Sequence, residues 1–377
     1  MTKIILSGIF ALLFLFGNSQ KNKHNPGGEI KIPMTAESWV FSAASVEFVQ
    51  HRSVESMRIL KTTDQTVLKD FNFVDGTIEY DLESEDRNFA HLYFRRESKE
   101  NNEHFFLRVY RAGDPLGIDA VQYAPFINGA SLWNLMDYYQ GPASFKKDQW
   151  THVKLVVSGL QMLAYVNDMI HPVLEIPRLE ANSKQGGIAF NGMGYIANLV
   201  IRPGAVEGLS PNEGIDPARH DSRYLRDWKI SQPMDLPIGR ELSKEDLPIL
   251  DSGWQSIQAE RRGLVNLSRL FGKSSGRRAI WLKIKLKSAI DQNRRLNFGF
   301  CNDAWVFLNA EPVFVDKNIY GTPISKQDGR CSLENAAFNL PLKAGINELL
   351  IGISNDIFGW AIMARLDSID GIEFVKD

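Results

Sequence analysis

Three features of this 377-residue chain predict an all-β protein built from two β-sandwich (jelly-roll) domains in tandem. Short segments alternate apolar and polar residues with a period of two, which places successive side chains on opposite faces of a strand. Turn pairs such as Asp75-Gly76, Ser158-Gly159 and Gly186-Gly187 punctuate them. No long segment carries the 3.6-residue period of a helix, and many short strands separated by turns mean a sandwich.

The first domain is expected over residues 29–203, with strands at 66–73, 77–82, 90–95, 105–111, 152–157, 160–166 and 187–201. Residues 204–222 shift to Gly, Pro, Asn and Asp and read as a linker. A second domain over 223–377 follows, with strands at 279–286, 296–300, 305–308, 336–340, 348–353 and 360–366. In its 279–286 strand, Ile280, Leu282, Ile284 and Leu286 alternate with Trp281 and lysines.

The N-terminus reads as an export signal over residues 1–19: Lys3 precedes the apolar run 4–16, and Gly17-Asn18-Ser19 offers small residues for cleavage. That run is shorter than the ~20 residues of a membrane helix, so the mature chain is expected to be periplasmic or extracellular, without a transmembrane segment. Residues 20–28 read as a tether. A net charge of −2 lacks the basic excess that nucleic acid demands. Only Cys301 and Cys331 occur, so there is no disulfide framework, and both one bridge and two buried thiols stay open.

The candidate site comes from strand alternation. Opposite Ile78, Tyr80 and Leu82 stand Glu79, Asp81 and Glu83; opposite Ala90, Leu92 and Phe94 stand His91, Tyr93 and Arg95; opposite Phe105, Leu107 and Val109 stand Phe106, Arg108 and Tyr110. Carboxylates, guanidinium forks and rings are the groups that hydrogen-bond sugar hydroxyls and stack on a pyranose. The long loop 113–133 is rich in Gly, Pro, Asp, Asn and aromatic residues, and long loops of this kind tend to be functional. Gln122 and Trp133 are expected to border the groove, with Trp133 either stacking on a sugar or anchoring its own loop.

The stretches 71–79, 90–95, 150–159 and 164–168, including Phe94-Arg95 and Tyr165-Val166-Asn167-Asp168, resemble a concanavalin A-like, laminin G-like sandwich of the 3-keto-disaccharide hydrolase-like group. The resemblance implies a jelly roll whose concave face binds glycans, with Arg95 on that face. Residues 224–233, 263–267, 302–309, 342–350 and 358–361 resemble a galactose-binding-like jelly roll, an accessory module of glycosidases and esterases. Ala310 stands where that family usually has glycine after Asn309.

Glu79, Asp81 and Glu83 have the Glu-x-Asp-x-Glu spacing of retaining glucanases. That chemistry needs two carboxyl groups about 5–5.5 Å apart, whereas residues four apart on a flat strand lie roughly 13 Å apart. Gly272-Lys273-Ser274-Ser275-Gly276 matches Gly-x-Ser-x-Gly, but a nucleophile elbow needs a strand before it and a helix after it, and a strand is expected after this one. The histidines show no metal-ligand spacing, no loop pattern supports calcium near Asp114 and Asp119, and no cofactor is expected. The leading expectation is an exported carbohydrate-binding protein acting through its first sandwich. A glycoside hydrolase using carboxylates on the same face is the alternative, and a purely structural surface protein is a third.

Overall fold

In a computed structural model, residues 28–114, 116–248 and 253–375 are described. The export signal and all but the last residue of the tether lie outside them. No helix among the described residues is long and apolar enough to cross a membrane.

The chain forms two all-antiparallel β-sandwiches. In the first, an eight-stranded sheet has the order Leu174–Ile176, Gln161–Val166, Thr151–Ser158, Gly76–Ser84, Gly194–Pro203, Val54–Ile59, Val46–His51, with Ile30–Lys31 added beside Gly194–Pro203. The facing seven-stranded sheet runs Gln140–Gly141, Val121–Tyr123, Glu103–Arg108, Phe89–Arg96, Gly187–Asn191, Thr66–Leu68, Trp39–Val40. The inward residues fill the space between them. Ile78, Tyr80 and Leu82 of one sheet meet Leu92, Phe94 and Phe105 of the other, and Tyr80 stands edge-on to Phe190 at 5.0 Å.

The stretch expected as one strand at 187–201 is two strands that enter different sheets. The chain crosses between them through Gly192 (φ +109°) and Gly194 (φ +146°). Only glycine fits this crossing, since a Cβ on Gly194 would sit 2.3 Å from the Glu83 carbonyl oxygen.

The second sandwich packs an eight-stranded sheet against a four-stranded one. Arg278–Ser288 and Gly345–Asn355 form the centre of the former, and Gln292–Phe300 lies within the latter. One five-residue α-helix, Leu267–Phe271, precedes the Gly272–Gly276 turn and the strand Arg278–Ser288 follows it. Helix, turn, strand is the reverse of a nucleophile elbow.

The two sandwiches dock through side chains and through backbone hydrogen bonds, the Cys331 amide donating to the Asn134 carbonyl at 2.8 Å and the Lys273 amide to the Asn128 carbonyl at 3.0 Å. The first apolar core continues into Leu264, Cys301, Cys331, Ala361 and Met363 of the second, and both cysteines are free thiols. Asn134 donates to the Gly359 carbonyl at 3.0 Å and accepts from the Gly359 amide at 2.9 Å. Arg269 pairs with Glu260 at 2.5 Å and donates across the junction to Asn182 at 2.6 Å and to the Glu180 carbonyl at 3.0 Å.

Candidate functional site

The outer face of the seven-stranded sheet carries the site. Because Ala90, Leu92, Phe105 and Leu107 point into the core, His91, Tyr93, His104, Phe106 and Arg108 point away from it. Cross-strand register sets His91 opposite Phe106 and Tyr93 opposite His104. The rings form a near-parallel floor: Tyr93 to His104 at 4.6 Å, His104 to Phe106 at 4.8 Å, and Phe89 to His91 at 5.7 Å.

Over this floor lies a cavity of about 650 Å³, walled in part by Lys273, Tyr320, Asp328, Arg330 and Phe358 of the second sandwich. Trp133 stands at the seam, edge-on to Tyr320 at 5.1 Å and to Phe358 at 5.3 Å. It therefore anchors the junction and lines the cavity at once. A second hollow, of about 720 Å³ beside residues 213–220, has no Phe, Tyr or Trp in its lining and offers no stacking surface.

The paired histidines have an assignable tautomer. His104 Nδ1 lies 3.2 Å from the Ala124 carbonyl, which can only accept, so Nδ1 carries the proton and Nε2 accepts. His91 Nδ1, 2.8 Å away, then donates, and His91 Nε2 is left as an acceptor in a ring that lines the cavity. Burial keeps both rings neutral, pushing His91 down to about 4 and His104 well below its ordinary value.

Asp119 gathers the arginines. It accepts from Arg111 at 2.8 Å, while Arg108 and Arg330 approach it to 3.8 Å. Arg108 also donates to the Asp119 carbonyl at 2.6 Å and to Gln122. Burial lowers the Arg108 pKa; Tyr110 and Asp119 oppose the shift, while Arg330 and Arg111 add to it.

Of the sequence-predicted residues, His91, Tyr93, Arg108, Tyr110 and Trp133 all line this cavity. Gln122 does not. It is fully buried and donates to the Trp133 and Met136 carbonyls at 2.8 and 3.0 Å, so it positions Arg108 and the 133–136 turn. Arg95 is also not in the lining. A left-handed φ of +45° interrupts the alternation there, and the buried guanidinium donates to the Val74 carbonyl at 2.7 Å and to Asp75 at 2.6 Å.

The three carboxylates do not share the face of His91. Their strand, Gly76–Ser84, belongs to the eight-stranded sheet, on the other side of the core. Each is committed to a basic side chain: Glu79 to Arg202 at 2.6 Å, Asp81 to His152 at 2.7 Å, and Glu83 to Arg52 at 3.0 Å. Burial alone would raise the Asp81 pKa, but hydrogen bonds from His152 and Asn198 hold it below the ordinary value. An acid/base carboxyl needs the opposite shift.

Sequence reasoning missed His104, Arg111, Lys273, Tyr320, Arg330 and Phe358. His104 stands two residues before Phe106 and the alternation could have found it. The residues of the second sandwich come from loops 320–330 and 357–358 and helix-following Lys273, where no periodicity marks them. Among the described residues, no group of three or more His, Cys, Asp or Glu is placed to hold a metal ion.

No protein-family model and no curated protein matches the chain. Among solved structures, a carbohydrate-binding module from Bacillus subtilis is similar at 17% identity and a TM-score of 0.30, covering 47% of this chain and 97% of that one. A putative glycosyl hydrolase from Parabacteroides distasonis is similar at 11% identity and a TM-score of 0.34, covering 47% and 100%. Domain 4 of an extracellular arabinanase from Geobacillus stearothermophilus, solved with arabinotriose, is similar at 13% identity and a TM-score of 0.30, covering 50% and 86%. At these values the assignment of ligand and chemistry rests on the cavity itself.

Proposed function

We propose that the protein is an exported carbohydrate-binding protein whose site is the cavity between the two sandwiches. The observation that carries this reading is the combination of an aromatic floor with polar groups of both kinds around it. Tyr93, His104 and Phe106 stack with centroids 4.6 and 4.8 Å apart, giving an apolar surface suited to a pyranose face. His91 Nε2 supplies an acceptor for a sugar hydroxyl, and the guanidinium groups beside Asp119 supply donors.

Binding is favoured over cleavage because of how the cavity's carboxylates are used. Asp119 is committed to Arg111 at 2.8 Å, and Asp328 is exposed on the second sandwich. A glycosidase of either stereochemistry needs one carboxyl held protonated beside the scissile bond. The fold resemblance to the 3-keto-disaccharide hydrolase-like group is carried by framework strands and turns, and brings no such pair.

The test mixes the chain from Gln20 onward with soluble and insoluble glycans and measures both depletion of the protein and release of new oligosaccharides. Depletion onto a glycan without products is expected, with binding weakened roughly tenfold or more in Trp133→Ala. Released products that persist with the protein freshly purified would replace binding by hydrolysis; indifference to every glycan would end the saccharide reading.

A further inference from the structure

The cavity holds more positive charge than its own carboxylates answer. Arg108, Arg111, Arg330 and Lys273 line it against Asp119 and Asp328. Arg111 is served twice, by Asp119 at 2.8 Å and by Asp114 at 3.4 Å, and Arg108 is served by the Asp119 carbonyl and Gln122. Arg330 is different. Its guanidinium makes no hydrogen bond among the described residues, its Nε is buried without a partner, and its side chain is only 13% exposed. It lies 5.7 Å from the Trp133 ring centroid and 3.8 Å from Asp119, beyond hydrogen-bond length. The Lys273 ammonium has no partner among the described residues either, whereas Asp328 is exposed and screened by solvent.

A desolvated guanidinium that has a loose ion pair but no hydrogen bond is costly, and its planar fork matches a carboxylate or sulfate better than a neutral hydroxyl. An inorganic anion would answer the charge but leave the ring floor bare. Resting on the saccharide reading above, we propose that the ligand is an anionic saccharide, carboxylated or sulfated, whose charged group docks on Arg330 beside Trp133 while its ring covers the aromatic floor. Lys273, at the exposed edge, adds attraction without fixing geometry.

The experiment applies the chain from Gln20 onward to a glycan array carrying matched neutral, uronate-bearing and sulfated saccharides, then titrates the bound ones by calorimetry at two salt concentrations. An anionic glycan is expected to bind at least tenfold more tightly than its carboxyl-reduced or desulfated counterpart, and less tightly at the higher salt. Which of the uronate and sulfate arms binds identifies the group. In Arg330→Gln the preference is expected to vanish. In Lys273→Gln, an exposed substitution that leaves the fold intact, it is expected to shrink several-fold. Binding of neutral glycans as tight as that of their anionic partners would overturn the charge assignment and leave the saccharide reading standing. A preference that survives both substitutions would overturn the role of Arg330. Binding of no glycan, by a protein with an intact melting curve, would overturn both readings.

Discussion

His91 and Arg95 stand four residues apart on one strand and do different work, and substitution separates them. Replacing His91 by Phe keeps the ring in the stack and removes the Nε2 acceptor, so saccharide affinity should fall by roughly tenfold, while the buried His104 Nε2 left without its donor lowers stability by about 1 kcal/mol. Arg95→Met should leave affinity unchanged while lowering stability by roughly 2–3 kcal/mol, because it strips a buried partner from Asp75. Calorimetric titration together with chemical denaturation checks both. The buried titratable groups also oppose one another. Burial raises Glu103 to about 7, so in the folded state it holds its proton; that contribution is full below about 4.5 and is lost as pH rises to about 7. His91, lowered to about 4, contributes above about 6.5 and loses its contribution as pH falls toward 4. Each is worth about 3 kcal/mol at its limit. Glu180, raised by burial to about 7, and His104, lowered by burial, oppose one another in the same way, so wild-type stability should vary little across this window, whereas Glu103→Gln should lose stability on acidification. A variant that melts in parallel with wild type at every pH would refute the opposition.

Among the elements, the 302–308 and 311–318 strands are joined by a two-residue loop, Asn309-Ala310, in which both residues have positive φ, +52° and +64°. That is the type I′ geometry, and alanine is strained there. Ala310→Gly should therefore stabilise the protein by about 0.5–1 kcal/mol, measurable as a raised melting temperature. The alanine at this turn was legible in the sequence, and so were most strands, because one-sided burial imposes an alternation that the residues must obey. Ala90, Leu92 and Phe94 face inward as their spacing requires. What alternation does not encode is which strand pairs with which. Glu79, Asp81 and Glu83 point away from the core, Glu83 being buried beneath its partners, but sequence neighbours Gly76–Ser84 and Phe89–Arg96 lie in different sheets, so the two polar faces look in opposite directions. Arg95 escaped for a local reason, since one left-handed residue ends the alternation that predicted its side.

For the molecule as a whole, the junction decides the behaviour. Gly359 admits no side chain: a Cβ there would lie 2.6 Å from Leu135 and 2.7 Å from the Asn134 oxygen that receives its amide. Gly359→Ala should cost roughly 1–3 kcal/mol by forcing the two sandwiches apart, and should weaken saccharide binding too, because Tyr320, Arg330 and Phe358 would retreat from the floor. Wild type should unfold in one calorimetric transition, given a core that continues from one sandwich into the other; two transitions would show the halves to be independent. The last strand of the first sandwich ends at Pro203 and the first strand of the second begins at Asp227, so the covalent path between the halves is the segment between them, while the bonds of Asn134 and Arg269 cross elsewhere. Suppose a protease site is placed at exposed Gly208, where the backbone is unencumbered, and then cut. The product is a heterodimer whose shared cavity exists only while both fragments touch, so the sugar becomes the glue of a two-piece assembly and fragment dissociation becomes a gauge of its concentration.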